Sequence, residues 1–135
     1  MTTKKIMIVE DSELLHKMYR LILMRYATEG GTLLHAFDGF QALDLLKRNP
    51  DTHLIILDTT LPRMNGFEFL QRCKSDHALR DIPVLVVTTE GKQEQIQKGL
   101  EAGAYGYVTK PFQPNHLHQL IHKIFEIREN IGAQG

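Results

Sequence analysis

Apolar residues along this chain fall in short dense runs, and the segments between the runs have helical periodicity. The runs are Ile6-Met7-Ile8-Val9, Leu33-Leu34, Leu54-Ile55-Ile56-Leu57, Ile82 to Val87, and Tyr105-Gly106-Tyr107-Val108. They are apolar at consecutive rather than alternate positions, as strands of a parallel sheet covered on both faces must be. Ser12 is placed to cap a first helix carrying Leu14, Leu15, Met18, Leu21 and Ile22, which Gly30-Gly31 stops. Asp38 caps a second helix with Ala42, Leu43 and Leu46, closed by Asn49-Pro50. Phe67, Leu70 and Cys73 mark a third, and a mostly polar fourth runs from about Lys92 to Ala102 with Ile96 and Leu100 as its apolar contacts. The fifth, after Pro111, carries Leu117, Leu120, Ile121, Ile124 and Phe125. Strict alternation of five strands with five helices predicts an α/β fold, a doubly wound parallel sheet with right-handed crossovers.

In such sheets ligands bind beyond the carboxyl ends of the strands, near the topological switch point. Glu10 and Asp11 follow the first run, Asp58 the third, Thr88 the fourth, and Thr109-Lys110-Pro111 the fifth, while only Ala36-Phe37 follows the second. With strand order 2-1-3-4-5, strands 1 and 3 flank the switch point. Three carboxylates then meet a hydroxyl and an ammonium. Singly, each residue has an ordinary structural reading: Glu10 or Asp11 as a helix cap, Asp58 in a turn, Thr88 in a strand, Lys110 as a solvated end. Together the three carboxylates and one Lys sum to −2 when ionised. Two like charges about 4 Å apart repel by about 4 kcal/mol at an effective dielectric near 20, so the cluster favours a divalent cation. Oxygen donors without His or Cys point to a hard ion, and Mg2+ fits best. A carboxylate beside Mg2+, an ammonium and a hydroxyl is equipped to accept a phosphoryl group by in-line attack.

Composition narrows the class further. The 135 residues, 15.5 kDa with 42% hydrophobic residues, suit one domain, with a core over about 4–125 and an extension of the last helix over 126–135. One Cys excludes an internal disulfide framework and fits a reducing compartment. Sixteen basic residues against sixteen acidic ones speak against a broad electrostatic grip on nucleic acid or an anionic membrane. The apolar runs are too short to cross a bilayer, and Glu10-Asp11 interrupts the first too early for a signal peptide. The expectation is a cytoplasmic protein.

The polar positions resemble those of the response regulator receiver domains of two-component signalling. The matching residues are Ile8-Val9-Glu10-Asp11-Ser12, Leu57-Asp58-Thr59-Thr60-Leu61-Pro62 with Asn65-Gly66, Pro83 through Thr88, Gly99 through Ala104, and Lys110-Pro111-Phe112. The resemblance extends from about Lys4 to about Phe125, nearly the whole chain, and implies a flavodoxin-like sheet of order 2-1-3-4-5. It implies that Asp58 accepts a phosphoryl group from a sensor histidine kinase, a phosphotransfer protein or a small phosphodonor. Asp11, Asp58 and the backbone carbonyl of Thr60 would ligate Mg2+, with Glu10 acting through a water. Thr88 would hydrogen-bond the phosphoryl group, Lys110 would pair with it, and Lys110-Pro111 would be a cis peptide. Thr88 and Tyr107 would form the switch that remodels the face made of the fourth helix, fifth strand and fifth helix, which a downstream protein reads. Such a protein is a signalling switch rather than an enzyme. Its only chemistry is Mg2+-dependent transfer to itself and self-dephosphorylation.

Some positions depart from the commonest family pattern. Glu10 replaces an Asp, and Thr89 stands where Ala or Gly is usual, adding bulk near the phosphoryl pocket; Thr60 and Glu90 occupy positions that modulate dephosphorylation. His118 and His122 have a zinc-compatible spacing without an evident third ligand, and a solvated face is the simpler reading. Ile124, Ile127 and Ile131 continue a helical seam that could pair two chains, with Ile127 and Ile131 expected to be exposed. Two alternatives compete. A haloacid dehalogenase-type aspartyl-phosphate phosphatase needs a second Asp two residues after the first, where Thr60 stands. A binding module that never engages phosphate has no use for the five clustered site residues.

Overall fold

The computed structural model describes residues 3–59, 61–89 and 92–134, with side chains to residue 127. In chain order the elements are β1 (Lys5–Val9), α1 (Glu13–Ile22), α2 (Met24–Thr28), β2 (Thr32–Ala36), α3 (Gly39–Arg48), β3 (Leu54–Leu57), α4 (Gly66–Ser75), β4 (Val84–Thr88), α5 (Gln93–Glu101), β5 (Gly106–Thr109) and α6 (Pro114–Gln134). The five strands form one parallel sheet in the order β2-β1-β3-β4-β5.

Successive residues of each strand feed opposite faces. Met7, Val9, Ile55, Leu57, Val84 and Val86 pack with Ala42, Leu46, Phe69, Leu70 and Cys73 from α3 and α4. Ile6, Ile8, Leu54, Ile56, Leu85 and Val87 pack instead with Tyr19, Leu23 and Tyr26, and with Leu117, Ile121, Ile124 and Phe125 of α6. Ser12, Asp38 and Asn65 cap α1, α3 and α4, each side-chain oxygen accepting a backbone N–H from the first turn.

Five expectations are corrected. Six helices stand where five were expected, because the first breaks at Leu23, where Tyr26 N–H bonds the Leu23 carbonyl in a tighter turn. The stripe it buries is His16, Tyr19, Leu23 and Tyr26, at 3-4-3 spacing, while Leu14 and Leu21 are 74% and 69% exposed. In α4 the core aromatic is Phe69, and Phe67 is half-buried beneath the Lys98 ammonium at 4.6 Å. Leu100 is exposed, leaving Gly99 as the buried residue of α5. The predicted fourth and fifth helices are thus α5 and α6. Ile124 belongs to the core and has no surface to offer a seam between chains; Ile127 is exposed, and the Ile131 side chain, like Thr60 and Glu90, lies outside the described residues. Among the described residues no helix is long and apolar enough to cross a membrane.

The helices are therefore unequally attached. Phe69→Ala should lower stability by about 3–5 kcal/mol, whereas Leu100→Ala should change it by less than about 0.5 kcal/mol. Urea unfolding of the two variants against wild type measures both.

Candidate functional site

All five strands end at one edge of the sheet, and the polar residues that follow them meet there. Glu10 N–H donates to the Ala36 carbonyl at 3.0 Å and Asp58 N–H to the Val9 carbonyl at 3.0 Å, so both carboxylates continue the ladder of the strands that flank the switch point. Carboxylate oxygens of Glu10, Asp11 and Asp58 lie within 4.8 Å of one another. Glu10 and Asp58 are buried and Asp11 is exposed. Lys110 reaches in from the end of β5, its Nζ 3.2 Å from Glu10 Oε1 and 4.0 Å from Asp58 Oδ2. The Lys110-Pro111 peptide is cis, and Lys110 N–H donates to the Thr88 carbonyl at 2.7 Å.

Crowding is felt most at Glu10. Burial raises its pKa first, then the neighbouring Asp11 carboxyl and the Asp58 charge; the Ser12 N–H, 3.0 Å from Oε2, and Lys110 pull it back only in part. The result is an acid pushed up to about 7. One Lys does not neutralise this cluster.

The remaining predicted residues lie around this centre. Thr88 is fully buried, and its Oγ1 is 2.8 Å from Thr59 Oγ1. Tyr107, on β5, is half-buried, with its ring against α5: a Cβ added at Gly99 would sit 3.0 Å from Tyr107 Cε2. Thr89 is exposed and lines, with Leu15, Met18, Ile22, Lys110 and Phe112, an apolar groove of about 490 Å³ between α1 and the start of α6. Lys110 borders both groove and carboxylates. Behind Asp58, α4 begins in close contact: Gly66 N–H donates to the Thr59 carbonyl at 3.1 Å, and a Cβ at Gly66 would sit 2.6 Å from Thr59 Cα. Only glycine allows that approach.

One feature of the site escaped the sequence reading altogether. His16 is fully buried on α1, with Nε2 2.6 Å from the Glu10 carbonyl and Nδ1 2.7 Å from His35 Nδ1, while His35 Nε2 takes a hydrogen bond from Arg20 Nε at 3.3 Å. Arginine can only donate, which fixes the direction of the whole chain. Arg20 donates to His35, His35 Nδ1–H to His16, and His16 Nε2–H to the Glu10 carbonyl. Burial lowers the pKa of both imidazoles, that of His35 to about 4, which keeps the relay neutral and directional. The signal in the sequence is periodicity: His16 stands in the same buried stripe as Tyr19, Leu23 and Tyr26. The histidines on α6 do not join it. His122 Nε2 lies 3.6 Å from its own helix neighbour Glu126, and Glu10, Asp11 and Asp58 form the one carboxylate, His or Cys cluster suited to a metal among the described residues.

The chain is similar in sequence and fold to known proteins. Residues 6–122 match the family model of the response regulator receiver domain. A chemotaxis protein CheY homolog of Campylobacter jejuni is 31% identical over 129 residues, 96% of this chain and 98% of that protein. The structure of CheY4 of Vibrio cholerae superposes with a TM-score of 0.81 at 30% identity, covering 91% of this chain and 99% of that one. A BeF3-activated DrrB receiver domain superposes with a TM-score of 0.78 at 29% identity, covering 93% and 99%. The chain belongs to the response regulator receiver domain family.

Proposed function

We propose that this chain is a phosphorylation-driven signalling switch with Asp58 as its phospho-acceptor. The observation that carries this reading is the buried Asp58 carboxylate at the end of β3, gathered with Glu10 and Asp11 within 4.8 Å and faced by Lys110 at 4.0 Å. An Asp58 oxygen attacks the phosphorus of a phosphohistidine in line, the new O–P bond forming as the P–N bond breaks and the imidazole leaves. The Lys110 ammonium meets charge developing on the phosphoryl oxygens, and the Thr88 hydroxyl offers them a hydrogen bond.

The donor set suits Mg2+: carboxylate oxygens alone, more negative charge than Lys110 offsets, and a Glu10 that resists ionisation without further positive charge. Asp11, Asp58 and the Thr60 carbonyl are the proposed direct ligands and Glu10 an outer one. When bound, the ion supplies positive charge to the phosphoryl oxygens during transfer.

The response passes to the face formed by α5, β5 and α6. A phosphoryl group brings about two negative charges, and Thr88 shifts toward it, freeing space for the Tyr107 ring. Light attachment of α5, with Gly99 against that ring, supports this coupling. A downstream protein reads the face. The donor protein, which must reach Asp58, is assigned to the apolar groove of Leu15, Met18 and Phe112, because Lys110 borders both the groove and the acceptor.

Incubation with acetyl phosphate and Mg2+ should add one phosphoryl group to the wild-type protein and none to Asp58→Asn, read by intact-mass spectrometry; equal labelling of the variant would sink the assignment. Met18→Glu should slow transfer from a phosphorylated kinase or phosphotransfer protein at least several-fold while leaving labelling by acetyl phosphate unchanged. Equal losses from both donors would remove the groove from the account. In metal-free protein, protonated Glu10 stabilises the fold fully below its unfolded value of 4.5, and this contribution is lost as pH rises through about 7. The urea midpoint should therefore fall between pH 5 and 8, and Mg2+ should raise it more at pH 8 than at pH 5. A profile in which Mg2+ stabilises most at low pH would contradict this.

A further inference from the structure

Thr59, the residue after the proposed acceptor, has no role in the reading above, and its surroundings give it one. Its side chain is buried, with Oγ1 2.8 Å from Oγ1 of the fully buried Thr88. Its backbone is pinned by the Gly66 N–H at 3.1 Å, with Gly66 so close that no Cβ fits between. Strand alternation sets the side of the sheet on which the two hydroxyls meet. Leu57 and Val86, two residues before Thr59 and Thr88, belong to the core under α3 and α4, against which Tyr107 also packs. Ile56, two residues before Asp58, belongs to the opposite core. The hydroxyl pair is thus on the Tyr107 side, while the carboxylate of Asp58 faces Lys110.

The geometry points to Thr59 as a positioning residue that holds Thr88 in the unphosphorylated arrangement and sets how readily it leaves. This rests on the reading of Asp58 as acceptor and Thr88 as switch. Phosphoryl oxygens only accept hydrogen bonds, so Thr88 must give them its single hydroxyl proton. Thr59, fixed by α4, cannot follow Thr88 toward the phosphoryl group. The two partners therefore compete for one hydroxyl. Loss of the Thr59 hydroxyl weakens the resting arrangement and leaves the activated one untouched, so activation becomes easier.

The sign of this effect separates it from mere damage, which would make activation harder. Beryllofluoride with Mg2+, a phosphoryl analogue, is titrated into wild type, Thr59→Val, Thr59→Ala and Thr59→Ser, with binding followed by amide NMR shifts. Thr59→Val, close in shape but lacking the hydroxyl, should bind about two- to ten-fold more tightly, the range expected for loss of one neutral hydrogen bond from the resting state. Thr59→Ala should shift in the same direction, which keeps the test standing if the Val variant does not fold. Thr59→Ser should match wild type. Unchanged or weaker binding by both hydroxyl-free variants, or a Ser variant that behaves like Val, overturns the role of Thr59 while leaving the acceptor reading intact. A wild-type protein that binds no beryllofluoride overturns the acceptor reading and this role with it.

Discussion

Burial of the sheet on both faces is the constraint from which the rest of the molecule follows. The central strands β1, β3 and β4 are buried and almost wholly apolar at consecutive positions, so the faces of the middle of the sheet leave little room for polar side chains. On these central strands polar residues emerge mainly where the strands stop, and in a parallel sheet all strands stop at the same edge. Glu10, Asp58, Thr88 and Lys110, scattered over a hundred positions of sequence, are neighbours for that reason alone. Convergence has an electrostatic cost. It is visible in Glu10, whose acidity burial and two nearby carboxylates suppress to about 7.

The surroundings of this cluster are not uniform. On one side the backbone is held hard. The Arg20–His35–His16 relay ends on the Glu10 carbonyl, and the Gly66 contact closes over Asp58 and Thr59. A neutral, one-way relay suits a position next to excess negative charge, since a protonated imidazole there would compete with any other cation for the carboxylates. On the other side the support is light. Gly99 is the buried residue of α5, and Tyr107 fills the space beside it. A side densely held by hydrogen bonds and close contacts and a side packed through Gly99 and Tyr107 are both built around the same strand ends.

The sequence was most legible where one physical rule acted alone. Consecutive apolar residues marked the strands, Ser12 and Asp38 marked the starts of two helices, and the polar residues after four of the strands marked the site. It misled where two patterns overlapped on one helix. The aliphatic stripe of α1 drew attention to Leu14, Met18 and Leu21, yet the helix buries His16, Tyr19, Leu23 and Tyr26 and turns part of the aliphatic stripe toward a groove and solvent. Aromatic and imidazole side chains with internal partners outcompeted aliphatic ones for the interior, an outcome that depends on His35 and Phe37 from a different element. The same holds for Thr59. A lone threonine after an aspartate has no periodicity to betray it, and its partner lies 29 residues away on another strand.

On the proposed reading of Asp58 as acceptor, these contacts belong to the arrangement without a phosphoryl group. Lys110 sits closer to Glu10 than to Asp58, the Thr88 hydroxyl lies against Thr59, and the Tyr107 ring packs on Gly99. Each of the three groups proposed to act on activation is thus already engaged, by a partner on a different element. The Thr88–Thr59 contact is a neutral hydrogen bond, which contributes about 1 kcal/mol. An added group of about two negative charges on Asp58 competes directly for Lys110 and Thr88, and charge-assisted hydrogen bonds are roughly twice as strong as neutral ones. In the proposed switch, several separate restraints opposed by one strong local charge would make a population shift, because each restraint raises the threshold without closing off the other packing. On that reading, the number and strength of those restraints, rather than the acceptor carboxylate, would determine how much of the protein responds at a given level of phosphorylation.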